Sequence, residues 1–303
     1  MRKLFYIFCN CMIILLLASC ESNEPSDSSN EQSVPEVPST PETPEEPQEP
    51  NIPEIPSNPS QPTDETLVFK PFSVSATKTV TFSPGNLQYH PVNDEWRFAP
   101  SQLEYIGKNN ANISSTYNGW IDLFGWGTGK NPTTNTETYK DYSIFVDWGV
   151  NKIGNYKPNN WRTLTEDEWV YLLWKRPDYY KLKAVAQVDG VNGLILLPDN
   201  WVCPINVTFK YGTHMELGKT QYADFQTISA SDWSLLEKSG AVFLPSSGRR
   251  QISALGFVEH YGYYWSSTDY GANAYYLYIT SKGGDTKIGA QFYGKSVRLV
   301  MDN

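Results

Sequence analysis

From Thr66 to the end of the chain, apolar and polar residues alternate in short runs broken by Gly, Asn and Asp. Runs at 78–83, 96–99, 194–197, 241–244, 275–280 and 296–300 carry a period of two, the repeat of strands with one buried face. In the run 275–280, Leu277 and Ile279 fall on one side and Tyr276, Tyr278 and Thr280 on the other. Burying the aliphatic side predicts that the two tyrosines point outward. Two stretches repeat every three to four residues instead. Thr165-Glu166-Asp167-Glu168 has the form of a capping box, with Trp169, Leu172 and Leu173 as the apolar stripe behind it. The stretch 229–239 repeats the device, with Ser231 placed to cap and Trp233, Leu235 and Leu236 following. Few helices among many short strands predict an α+β domain with short twisted sheets and long loops.

Ahead of this domain the pattern changes twice. Residues 1–20 begin with Arg2 and Lys3, continue through a largely apolar stretch to Leu17, and end in small residues. That layout predicts a secretory signal peptide and is too short for a membrane span. Leu17-Ala18-Ser19-Cys20 resembles the lipobox of bacterial lipoproteins, which implies cleavage before Cys20 and its acylation. Residues 21–66 hold twelve Asp or Glu, no Lys or Arg, and a proline at every third position from Pro35 to Pro62. Polyproline II has three residues per turn, so this spacing predicts an extended acidic stalk that builds no core. The globular domain is then 67–303.

Dividing the charge by segment alters its meaning. The chain carries 33 acidic and 24 basic residues, a net −9, but the acidic excess lies in the stalk and the domain itself is nearly neutral. Nothing in that balance recruits nucleic acid. Of the 4 cysteines only Cys203 falls within the domain, so no disulfide within it is expected and packing must hold it together.

Several segments together resemble known domains. Trp161-Arg162-Thr163-Leu164-Thr165-Glu166-Asp167-Glu168-Trp169 is similar to the R-x-P-T-E-x-E-W stretch of formylglycine-generating-enzyme-like domains. Tyr263-Tyr264-Trp265-Ser266-Ser267-Thr268 and Gly294-Lys295-Ser296-Val297-Arg298-Leu299-Val300 resemble the ends of the Fibrobacter succinogenes major paralogous domain and its relatives. Ser83-Pro84-Gly85-Asn86-Leu87-Gln88-Tyr89 and the segment from Gly119 to Gly127 look like stretches of surface lipoproteins of gut Bacteroidales. The resemblance covers about residues 70 to 302. It implies a C-type-lectin-like fold, in which long loops project from a small twisted sheet and the terminal strands lie near each other. Glu21 and Glu24 resemble the acidic residues that follow the lipidated cysteine in surface-exported lipoproteins, which implies an outer-membrane anchor facing the exterior.

The enzymatic chemistries of these relatives lack their residues here. Formylglycine-generating enzymes use a cysteine pair near the C-terminus, and no cysteine follows Cys203. Related iron enzymes use three histidines, two on one helix, whereas His90, His214 and His260 lie far apart in the chain. Calcium-dependent lectins read sugars through E-P-N or Q-P-D and W-N-D; Pro198-Asp199-Asn200 and Trp265-Ser266-Ser267 depart from both. No metal or cofactor is expected. In retroelement-diversified proteins of this fold, ligand contacts lie between the WSS-like segment and the final strand. The resemblance therefore implies a ligand-binding span here at 269–293, with Asp269, Tyr270, Asn273, Tyr276, Tyr278, Gln291 and Tyr293 as candidates for a protein or glycan ligand. A competing reading has Tyr276 and Tyr278 cover each other as sheet packing. Two other functions stay open: a structural subunit of a surface layer or appendage, and a surface carbohydrate-active enzyme.

Overall fold

The computed structural model describes residues 70–212 and 220–303; the leader with Cys20, the proline-rich segment and His214 lie outside the described residues. Strands β1 (Phe72–Ser73), β2 (Thr79–Phe82), β3 (Leu87–His90) and β4 (Glu95–Phe98) come first, and a long irregular stretch leads to helix α1 (Glu166–Val170). Strands β5 (Lys183–Val188), β6 (Val191–Leu196) and β7 (Thr227–Ile228) precede helix α2 (Ala230–Lys238) and strand β8 (Val242–Pro245). The remainder is β9 (Arg249–Gln251), β10 (Ala254–Gly256), β11 (Gly262–Tyr270), β12 (Asn273–Thr280), β13 (Gly283–Ala290) and β14 (Val300–Asp302). The fold class is α+β, with few helices and several small sheets. Among the described residues no helix is long and apolar enough to cross a membrane.

The capping box forms as its sequence predicts. Thr165 Oγ1 accepts from the Glu168 amide, Glu168 Oε2 accepts from the Thr165 amide, and Trp169, Leu172 and Leu173 are fully buried. Beyond Val170 the helix widens into one π-helical turn, Tyr171–Lys175. In α2 the cap is Ser229, whose hydroxyl accepts from the Asp232 amide; Ser231 lies inside the helix and bonds the Ser229 hydroxyl. Capping needs an extended residue just before the first turn, and only Ser229 has that backbone. Leu235 is exposed on the outer side of α2, while Trp233 and Leu236 face inward.

Period-two alternation separates two cores on the four-stranded sheet of order β7-β5-β6-β8. Val185, Leu194, Leu196, Val242 and Leu244 enter one core with α1, β2, Leu277 and Ile279. Ala186, Val188, Ile195 and Phe243, the alternate residues, enter another with Trp233 and Leu236 of α2. A third core is largely aromatic and joins Tyr89, Trp96 and Phe98 to Phe124, Trp126, Trp148, Trp161 and Trp265.

The run 296–300 is not a strand along its length. Lys295 and Ser296 make isolated bridges to Phe124 and Tyr264, and β14 begins only at Val300, where it pairs antiparallel with β2. The segment threads between other elements, so both its faces are buried and its apolar residues reflect that enclosure more than pairing with one neighbour. Arg298 within it is buried and donates from Nη2 to Gln102 Oε1 at 2.6 Å.

Candidate functional site

Strands β11, β12 and β13 form one antiparallel sheet, and its register assigns the side chains to two faces. Tyr264 lies across from Leu277 and Gly262 from Ile279, and Tyr264, Leu277 and Ile279 are fully buried in the first core. The opposite face pairs Tyr263 with Tyr278 and Trp265 with Tyr276. The expected register of 275–280 therefore holds: the aliphatic residues point in and the tyrosines lie on the other face.

That face is a continuous raft of rings. Centroid separations are 5.8 Å for Tyr263–Tyr276, 5.3 Å for Tyr263–Tyr278, 5.4 Å for Tyr261–Tyr278 and 6.1 Å for Trp265–Tyr276. Phe257, 45 % exposed, extends it through Tyr261 at 5.2 Å. Tyr276 and Tyr278 are half-buried, so sheet packing and exposure coexist. Tyr276 leans on the aromatic core through Trp265, while Tyr278 stands at the open end. There Tyr261 and Tyr278 wall a recess of about 310 Å3 shared with Glu259, His260 and Lys282. Burial pushes the phenols of Tyr263, Tyr276 and Tyr278 above their ordinary range, which keeps them protonated donors.

Two cations sit among these rings. The Arg249 guanidinium lies 4.5 Å from the Tyr293 centroid, 5.3 Å from Phe257 and 5.6 Å from Tyr263. The Lys295 ammonium lies 3.5 Å from the Trp265 centroid and 4.6 Å from Tyr276. Lys295 is buried with no hydrogen-bond partner, and burial together with the Arg249 charge lowers its pKa well below that of an ordinary lysine. Ring faces replace water around the Arg249 guanidinium in the cation–π arrangement, while the full enclosure of Lys295 opposes its charge.

The other candidates divide. Gln291 is buried and points inward, donating to Asp269 Oδ1 and to the carbonyls of Gly271 and Asn273 at 2.9 to 3.1 Å. It locks the β11–β12 turn and does not belong to an exposed surface. Asp269 is exposed at that turn and is held by Gln291. Tyr270, 56 % exposed, pairs in register with Asn273 and packs edge-on against Tyr275, on the face opposite Tyr276. Tyr293 joins the raft through Arg249. Arg249, Phe257, Tyr261, Tyr263 and Lys295 are not among the ligand contacts that the sequence implies. Tyr261, Tyr263 and Trp265 alternate as Tyr276 and Tyr278 do, which is a readable signal; nothing in the sequence places Arg249 or Lys295 beside them.

The similar segments quoted above serve as joints around β11. Trp126 Nε1 donates to Ser266 O, Trp265 Nε1 to Phe124 O, Asn86 Nδ2 to the Tyr264 hydroxyl, and the Glu166 amide to Thr268 Oγ1. The Trp265 amide donates to Ser296 O. These bonds tie four distant stretches to one strand, giving the raft a firm backing.

Two larger recesses, of about 610 and 620 Å3, adjoin Asp199, Asn200 and Trp201. Asp199 is already engaged there by Ser73 and Arg176. The carboxylates displaced upward by burial are likewise engaged. Asp122, raised to about 6, accepts from the Ile106 amide and Asn110 Nδ2, and Asp147 accepts from Gly149 and Thr163. His90 is buried edge-on to Trp120, and His260 lines the recess beside Tyr278. Among the described residues no three His, Cys, Asp or Glu side chains gather as a metal-holding group. Compared with known proteins, the chain matches no family model, no curated sequence and no solved structure.

Proposed function

We propose that this chain is a lipid-anchored cell-surface recognition protein. Residues 1–20 direct export, Cys20 carries the lipid that holds the chain at the outer membrane facing outward, and 21–66 extend a stalk. The domain 67–303 has a C-type-lectin-like fold and binds an extracellular protein or glycan without catalysis. The fold reading draws support from the pairing of β14 with β2, which joins the two ends of the domain, and from the convergence of the similar segments on β11. The observation that carries the binding reading is the ring face of the β11–β12–β13 sheet, on which Tyr276 and Tyr278 are half-buried, with Arg249 beside it. Rigid aromatic side chains offer large contact area at small entropic cost.

The non-catalytic reading draws on the carboxylates: Asp122 and Asp147 spend their oxygens on loop amides and side chains. Against a structural subunit that adds strands, the edge strand β13 carries the exposed pair Asp285 and Lys287, a feature that discourages edge pairing.

The test presents the full-length chain in detergent to arrays of extracellular proteins and glycans. Replacing Tyr261 and Tyr278 by Ala should weaken the binding found by more than about 1 kcal/mol, the scale of an aromatic hot spot. Tyr270→Ala, on the other face, should leave it unchanged. Binding indifferent to the tyrosine pair, or cleavage of a glycan on the array, would overturn the reading.

A further inference from the structure

The charges on the ring face are unbalanced in a specific way. Asp285 and Lys287 close on each other at 2.7 Å, and Asp269 is taken by Gln291. Glu259 lies in the recess at the Tyr278 end, where its carboxylate accepts from the Tyr105 hydroxyl. Arg249 and Lys295 have no carboxylate partner among the described residues; their only contacts of side-chain charge are ring faces. A guanidinium stacked on rings keeps its N–H edge free, and that edge matches carboxylate and sulfate in a bidentate fork. The face is thus electrostatically complementary to an anion at its Arg249 end.

Its shape selects what bears the anion. Tyr276 and Tyr278 are half-buried and stand at 79° to each other with centroids 6.5 Å apart, so they offer two separately oriented rings, with the recess beyond Tyr278. A protein partner draws its affinity from anchors buried in pockets. A sugar ring instead lies flat, its positively polarised C–H groups on the negative π-faces and its hydroxyls at the rim.

We infer that the ligand of this face is an acidic saccharide, whose carboxylate or sulfate meets Arg249 and whose sugar rings lie on Tyr276 and Tyr278. The inference rests on the recognition reading above and narrows its ligand. Bulk charge does not attract such a polymer, because the domain is nearly neutral and the stalk ahead of it acidic, so binding must be local.

The experiment measures binding of the full-length chain in detergent to polygalacturonate, alginate, hyaluronate and chondroitin sulfate. Methyl-esterified polygalacturonate, desulfated chondroitin and dextran serve as partners with charge reduced or absent, and polyglutamate as an acidic polypeptide. At least one acidic glycan should bind, and removing its charge should weaken binding by about tenfold or more, as expected for a charge-assisted pair. Arg249→Gln should produce a similar loss, and Arg249→Lys should restore part of it; uronate and sulfate arms report which anion is preferred. The comparison of charged with neutral polymer needs only the unaltered protein, so it stands even where a variant folds poorly. Equal binding of neutral and acidic forms that depends on the tyrosines would overturn the anionic inference while sparing the recognition reading. Polyglutamate bound as tightly would overturn the saccharide assignment, and no binding to any acidic glycan would overturn the inference outright.

Discussion

Replacing Leu277 by Ala tests the sheet register on which the site depends. Leu277 is fully buried in the core formed by α1, β6 and β8. Its Cδ1 lies where a Cβ on Gly284 would come within 3.1 Å, and Leu194 Cδ2 sits 3.0 Å from the same point. One wall is Gly284 backbone, which has no side chain to swing into the space left by the isobutyl group. The loss therefore belongs in the upper part of the range for buried leucine, about 3–5 kcal/mol. For a domain of this size that is a fall in Tm of roughly 6–20 °C. Tyr278→Ala removes half-buried ring contacts, the nearest at 5.3 Å to Tyr263 and 5.4 Å to Tyr261. Aromatic pairs contribute about 0.5–1.5 kcal/mol each, so losing these two should cost about 1–3 kcal/mol. Tyr276→Ala should fall between the two, since that ring also packs on the aromatic core. Urea unfolding followed by tryptophan fluorescence measures all three, because every tryptophan lies in the globular part. A Tyr278 variant less stable than the Leu277 variant would mean a one-residue slip that exchanges the two faces, and the site would then point into the core.

Cys20→Ala should move the protein from the detergent phase to the aqueous phase, whereas unchanged membrane partition would refute the lipid anchor. Gly149→Ala should cost about 3 kcal/mol or more in urea unfolding, because the added Cβ would overlap the carbonyl oxygen of Trp161, whose backbone is held by the Arg162–Val300 bridge. Burial raises Asp122 from 3.8 to about 6, so the folded state binds its proton more tightly than the unfolded chain does. The stability this proton provides is complete below pH 3.8 and lost as pH rises to about 6. The fall in Tm over that window should be smaller in Asp122→Asn than in the unaltered protein, and an identical slope would show that Asp122 does not titrate there.

Local signals in the sequence determined what depends on neighbours in the chain. The Thr165–Glu168 capping box, the alternation of Leu277 with Tyr276 and Tyr278, and the α+β class all follow from periodicity and from hydrogen bonds three residues apart. Where position along the chain did not settle a contact, tertiary structure decided. Ser229 caps α2 in place of Ser231 because the fold sets which residue is extended at the helix entrance. Gln291, polar and promising as a ligand contact, was drawn inside by three acceptors at the β11–β12 turn. The run 296–300 has strand character in composition, yet it is enclosed by several elements and pairs fully with none until Val300. Arg249 and Lys295 gain their importance only because β9 and the segment after β13 come to rest against Tyr263, Tyr276 and Trp265. Cation–π contact requires approach within a few ångströms across long sequence separations, and periodicity along one strand carries no information about which other strand will lie above it.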